Sequence, residues 1–330
     1  RDALAKYVAV NAAGGWPTIP AGPTLKPGMR DERLPLVRQR LQATGDLAVT
    51  TTVNDPLDFD AAVRDAVVHF QARHGLDTDG FIGKGTLAAM NIPVDARINQ
   101  IRVNLERARW VSQDIPGTFI IVDIAGFNAR LFRDGEVIWS EPAQVGTPYR
   151  STPVFREDMT YLELNPTWTI PPTILAKDIL PKVKKDPAYL QAKHMQVLTQ
   201  DGKVVDPKTI DWSSMSASGF PYIIRQTPGP HNALGRVKFM FPNPHFVYLH
   251  DTPHQELFSR SSRAFSSGCI RISNPYRLAE LLLQDEDKWS REKITAAIDT
   301  VKQQRVTLPE PVPVLLLYWT VNTGADGTVY

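Results

Sequence analysis

The dominant apolar period of this chain changes near residue 118. Up to about residue 112 apolar side chains recur at helical spacing, and from Thr118 onward they alternate with a period of two. A stripe of period 3.6 cannot face one side of a strand, and a period of two cannot face one side of a helix. The chain must therefore divide into a helical part and a mostly β part. Its 330 residues also exceed what one small core commonly organises, so two or three units are expected. The single cysteine rules out an internal disulfide, so these units must rest on packing alone.

The helical part begins after a Gly- and Pro-rich segment over 1–31, read as an extended lead-in to a truncated N-terminal region. Leu34, Val37 and Leu41 predict one helix. Phe59, Ala62, Val63, Ala66, Val67 and Phe70 predict a stronger one over 58–73, stopped at His74-Gly75. A turn at Asp79-Gly80 leads to a short helix near Thr86. Asp77, Asp79 and Gly80 lack the offsets of an EF-hand, and Gly83-Lys84-Gly85-Thr86 lacks those of a phosphate loop. Residues 32–96 are thus expected to form a small three-helix domain, followed by an arginine-rich linker helix over 97–117.

In the β part, strands are predicted at 118–125, 161–164, 222–225, 238–241, 246–250, 269–273 and 312–321, with a hairpin at Asp134-Gly135. Helices are predicted at 275–284 and 290–303, with Ser290 as N-cap of the second. Between 166 and 229 the strand rhythm is lost in a Pro-rich stretch carrying Trp168, Tyr189 and Trp212. It is too long for a plain loop and reads as an inserted cap subdomain, of the kind that often forms a lid.

The chemistry concentrates in His250 to Arg271, H-D-T-P-H-Q-E-L-F-S-R-S-S-R-A-F-S-S-G-C-I-R. Cys269 follows two serines and a glycine, and His250 lies nineteen residues upstream. A thiol attacks as thiolate, and an imidazole nearby is the usual way to make one near neutral pH. A single cysteine is more often a buried structural residue, but the small polar Ser266-Ser267-Gly268 run lets backbone approach a ligand. Net charge of +2 gives no reason to expect a nucleic-acid partner, and no apolar run approaches the roughly 20 residues that span a bilayer. The chain starts at Arg1 and is read as a processed or trimmed piece.

Two stretches resemble known families. F-x(10)-F-Q-x-x-x-G-L-x-x-D-G-x-x-G-x-x-T-L, from Phe59 to Leu87, resembles a small peptidoglycan-binding domain. The runs His231 to Asn243 (H-N-A-L-G-R-V-K-F-M-F-P-N), Tyr248 to Pro253 (Y-L-H-D-T-P) and Ser266 to Arg271 (S-S-G-C-I-R) resemble L,D-transpeptidases of the large Gram-negative YcbB type. The resemblance implies an α+β multidomain fold with a YkuD-type β-sandwich catalytic domain over 118–330. It implies 3→3 cross-linking of peptidoglycan stems between meso-diaminopimelate residues, with a donor tetrapeptide, an acceptor stem and no cofactor or metal. It further implies acylation by carbapenems and penems, partners in cell-wall synthesis, and a periplasmic location with an inner-membrane anchor ahead of Arg1.

Residue by residue, Cys269 matches the nucleophile and His250 the base. Family members often carry His-Gly-Cys where this chain has Ser267-Gly268-Cys269, so a second histidine is not required. The group orienting His250 is expected to be Ser266 or the Asp251 backbone carbonyl, because the Asp251 side chain points to the opposite strand face. The backbone N–H of Cys269, with that of Gly268 or Ser267, is expected to form an oxyanion hole. Tyr248, on the His250 face, is an additional donor or a core aromatic. Substrate contacts are expected from Arg271, Trp168 and Asn232, with Arg263 either among them or holding its loop. Three rival readings remain: a zinc-dependent wall hydrolase using His245, His250 and His254, although no H-E-x-x-H is present; a papain-like protease, against which the His-before-Cys order stands; and a non-catalytic wall-binding protein.

Overall fold

The computed structural model describes residues 2–49, 54–111, 115, 117–322, 324 and 328–329. It divides into two units. The first comprises residues up to 115 with 260–262 and 318–330, and the second the remainder of 116–317.

In the first unit, helices α1 (Asp2–Ala12), α2 (Leu34–Thr44), α3 (Ala61–Arg73), α4 (Lys84–Met90) and α5 (Val94–Val111) succeed one another in order. Leu34, Val37, Leu41, Val63, Val67, Phe70 and Met90 form a closed core between α2, α3 and α4. The Asp60 carboxylate caps α3 by accepting the Val63 N–H at 2.9 Å. Gln71, buried on α3, fixes the Asp79-Gly80 turn. Its amide donates to Asp79 Oδ1, the Phe81 carbonyl and Thr86 Oγ1, and its oxygen accepts the Gly80 N–H.

Three boundaries differ from the sequence expectation. The lead-in over 1–31 is not wholly extended, because α1 buries Ala3 and Tyr7 against Val94, Ile98 and Ile101 of α5. The helix expected as a linker over 97–117 is for the same reason a packed wall of the first unit. Residues 318–322 leave the catalytic stretch 118–330 and rejoin this unit. Thr320 exchanges hydrogen bonds with buried Asn104 at 2.7 and 2.9 Å, and Arg107 reaches the Tyr318 carbonyl at 2.6 Å.

The second unit holds strands β1 (Thr118–Asp123), β2 (Asn128–Arg133), β3 (Glu136–Gly146), β4 (Phe155–Leu164), β5 (Trp168–Thr169), β6 (Met195–Leu198), β7 (Val204–Val205), β8 (Ile223–Gln226), β9 (Val237–Met240), β10 (Leu249–His250), β11 (Ala264–Ser266), β12 (Ile270–Ile272) and β13 (Gln304–Leu317). Among the described residues the main sheet runs β11-β3-β12-β10-β9-β4-β13-β1-β2. The first half of β3 pairs with β2 and its second half with β12, so the sheet closes on itself around one core. Asp134 and Gly135 both take positive φ, as the tight β2–β3 hairpin requires. Helices Pro275–Leu283 and Arg291–Asp299 lay Leu278, Leu282, Ile294 and Ile298 onto the core, and Ser290 caps the second.

Register decides which side chains meet. Ile270, Leu249, Phe239, Leu162 and Val306 form a buried row across β12, β10, β9, β4 and β13. One residue along, Gln144, Arg271, His250, Lys238, Glu163 and Arg305 form the matching row on the other face. An apolar sheet core thus carries a polar band on its back.

The segment 166–229 folds as its own subdomain, with the sheet β5-β8-β6-β7 and a core of Val183, Leu190, Val197, Trp212 and Ile224. The strand predicted at 222–225 belongs here rather than to the main sheet. The helical run Pro172–Lys185 contains a π turn, Leu175–Ile179. Among the described residues, no helix is long and apolar enough to cross a membrane.

Candidate active site

Cys269 sits where a pinned turn enters β12. Gly268 takes φ +117°, a conformation few side chains tolerate. Ser266 Oγ accepts the Gly268 N–H at 3.0 Å and donates to the Cys269 carbonyl at 2.5 Å. Thr152 Oγ1 donates to the Gly268 carbonyl at 2.8 Å and accepts the Gly146 N–H at 2.9 Å. Gly146 permits this approach, since a Cβ there would collide with the Arg150 carbonyl.

Two groups left open by the sequence are engaged inside the turn. The Ser266 hydroxyl is spent inside it and does not orient His250. The Gly268 N–H is likewise taken by Ser266 Oγ; among the described residues, the N–H groups of Ser267 and Cys269 have no acceptor. Ser267 Oγ accepts from Arg150 at 2.9 Å, and the same guanidinium pairs with Asp178 of the cap at 2.6 Å. Arg150 therefore ties the cysteine turn to the cap's π turn, a link that no local pattern announces.

His250, 3% exposed, lies on β10 beside β12. Its Nδ1 donates to the Asp251 backbone carbonyl at 2.5 Å, which leaves Nε2 as the basic nitrogen. The Asp251 carboxylate points away. It accepts from Arg236 N at 2.8 Å, Thr252 N at 2.7 Å and Gln255 Nε2 at 3.2 Å, while burial holds its pKa above the usual range. Gly235, at φ +63°, makes room for it; a Cβ there would overlap the Asp251 side chain.

Burial, then the positive charge of Arg271, lowers the His250 pKa to about 3, against an upward pull from the Asp251 carbonyl. The imidazole is neutral at any ordinary pH. Burial raises the Cys269 thiol; the Tyr248 backbone N–H, Lys238 and Arg271 pull it back down. Among the described residues no hydrogen bond joins the thiol to the His250 ring. Cys269 Sγ instead faces the Phe246 carbonyl at 3.7 Å. Burial thus favours the thiol at Cys269 and the neutral imidazole at His250.

Tyr248 stands beside Cys269, its ring edge-on to Phe241 and under the Lys238 ammonium at 4.2 Å. Arg271 is half-buried in the polar row. Its Nη1 donates to Gln144 Oε1 at 3.2 Å, while its buried Nε has no partner. Lys238 and Gln144 escaped the sequence reading. Each alternates with core residues on its strand, but only the register reveals that both share the His250 face.

Three residues considered as substrate contacts have structural partners, and for Arg263 this is the loop-holding role the sequence also offered. Asn232, fully buried, donates to the Pro166 and Thr227 carbonyls and accepts the Leu234 N–H, knotting the two ends of the cap. Arg263 donates to the carbonyls of Ala143 and Phe127, which holds its loop. Trp168 pairs on β5 with Gln226 and packs against the cap's own core. The three histidines of the zinc reading do not converge. His245 lies on Phe155, His254 meets Glu256 at 3.4 Å, and His250 is held by Asp251.

Residues 117–307 match the L,D-transpeptidase catalytic domain family, YkuD. The chain belongs to that family. Residues 30–90 match the peptidoglycan binding domain family. A curated Haemophilus influenzae protein named as an L,D-transpeptidase is 36% identical over 234 residues, covering 70% of this chain and 47% of the relative. The chain thus spans about half the length of that relative. Similar solved structures include an L,D-transpeptidase from Xylanimonas cellulosilytica, with 16% identity, TM-score 0.27 and coverage of 90% of this chain and 99% of that one. Another is L,D-transpeptidase 3 from Mycobacterium tuberculosis with a faropenem-derived adduct, with 14% identity, TM-score 0.29 and coverage of 61% and 60%.

Proposed function

We propose that this YkuD-family protein is a cysteine L,D-transpeptidase that makes 3→3 cross-links between meso-diaminopimelate residues of peptidoglycan stems. The observation that carries the reading is the placement of Cys269 and His250 on one face of adjacent strands, with the imidazole neutral and its Nδ1 anchored. The thiol turns to His250 and gives its proton to Nε2. The sulfur then attacks the donor carbonyl: an S–C bond forms, the C–N bond to D-alanine breaks, and the departing amine takes the proton from His250. The side-chain amine of an acceptor stem then attacks the thioester, passes a proton to His250 and releases the thiolate. The free N–H groups of Cys269 and Ser267 stabilise the oxyanion of both steps. The helical domain over 30–90 holds the enzyme on its polymer, and the site of action is the Gram-negative periplasm.

Intact mass after incubation with a carbapenem tests the chemistry. One covalent adduct is expected on the wild type and none on Cys269→Ala. An adduct that persists on Cys269→Ala, or a folded wild type that never acylates, would sink the assignment.

A further inference from the structure

We infer that Lys238 is a positioning residue for the nucleophile: its ammonium, held over the Tyr248 ring beside Cys269, supplies the positive field in which the sulfur becomes thiolate and His250 stays an uncharged base. The inference rests on the transpeptidase reading only for the identity of the nucleophile.

Lys238 lies directly across from His250 in the β9–β10 ladder and across from Glu163 in the β4–β9 ladder. Its side chain is half-buried, and its nitrogen sits 4.2 Å from the Tyr248 ring centroid. Among the described residues no carboxylate comes within ion-pair distance of it, although Glu163 is its nearest acidic neighbour in register. A desolvated ammonium without an ion pair is unfavourable, and a surface lysine ordinarily extends into water instead. The aromatic face compensates part of that penalty. The net result is a partly desolvated cation over Tyr248 whose charge reaches the Cys269 sulfur.

The charged groups acting on Cys269 are Lys238 from β9 and Arg271 from β12, with the Tyr248 phenol just ahead of β10, while Glu163 of β4 faces Lys238 and offsets part of its charge. Lys238 and Arg271 flank His250 on opposite sides in the polar row. Arg271 is engaged by Gln144. Lys238 has the Tyr248 ring at 4.2 Å and Glu163 across the β4–β9 ladder, without an ion pair among the described residues. The directions agree: burial lowers the Lys238 pKa, the Glu163 carboxylate and then the sulfur's negative charge raise it, and the Lys238 charge lowers Cys269. The same positive charge lowers His250, so an imidazolium formed by taking the Cys269 proton is poised to hand it on to the leaving amine.

Cys269 is the sole cysteine, so alkylation by iodoacetamide reports on it alone. Rates measured against pH on the full chain would compare wild type, Lys238→Met and Lys238→Arg. Lys238→Met is expected to move the midpoint up by about one pH unit, so that alkylation near neutrality slows about tenfold, while Lys238→Arg stays close to wild type. Should the methionine variant not fold, Lys238→Gln reads the same shift. Superimposable profiles for wild type and the uncharged variant would overturn the inference. So would equal shifts in the uncharged and arginine variants, which would mean that packing rather than charge was lost. A wild type that shows the expected alkylation profile yet forms no carbapenem adduct would count against the transpeptidase reading and leave the lysine's role standing.

Discussion

Gly235 shows how one missing side chain shapes the site. With φ at +63° and the Asp251 carboxylate pressed against it, Gly235→Ala must both strain the backbone and push Asp251 aside. It is expected to destabilise the second unit by about 2–3 kcal/mol in urea titrations and to slow acylation, because the Asp251 carbonyl orients His250. His250 itself gives a pH prediction. Its folded pKa, about 3, lies below the ordinary value of 6.5, so the unfolded chain binds the proton first as pH falls. The stability it contributes is complete above about pH 6.5 and is lost on acidification at about 1.4 kcal/mol per pH unit. Urea midpoints between pH 6.5 and 5 should therefore fall more steeply for wild type than for His250→Gln; parallel slopes would mean that the imidazole is not buried as described. Cys269 and His250 were legible in the sequence because their chemistry is written in residue type. Lys238 was not, because a lysine between valine and phenylalanine looks like any outward strand position until register sets it opposite His250.

Elements were legible where patterning was local. The Asp134-Gly135 hairpin and the Ser290 cap formed as their residues require. The strand expected over 246–250 shrank to two residues, since Pro242, Pro244 and the positive φ of Phe246 break the ladder before it. The α1 helix was hidden by the glycines and prolines just after it, and its burial depends on α5, some ninety residues away. Asn232 looked like a ligand contact because it sits among site-flanking residues, but its role is visible only from its three partners. Asn232→Ala would leave the Pro166 and Thr227 carbonyls and the Leu234 N–H without it. A loss of about 3 kcal/mol is expected. Trypsin should then cut sooner at Lys182, Lys184 and Lys185 of the cap, and unchanged cleavage would show that the cap is held shut by other contacts.

At the scale of the whole molecule the change of dominant period correctly divided the helical unit from the mostly β one, yet it misplaced the end of the chain. Val312 to Val321 reads as one apolar strand, but β13 stops at Leu317, and Tyr318 and Thr320 bond to α5. Deleting residues 318–330 would strip buried Asn104 of Thr320 and is expected to lower the melting midpoint of the first unit by about 5–10 °C while sparing the second. Calorimetry resolving the two transitions checks this; a drop confined to the second unit would contradict it. That return also bears on how the protein is born. A ribosome delivers α1 to α5 well before Thr320, with the entire cysteine domain in between. α5 must wait, partly unsealed, until Thr320 has emerged, and a folding catalyst or holdase would find its target on the helical unit rather than on the β unit.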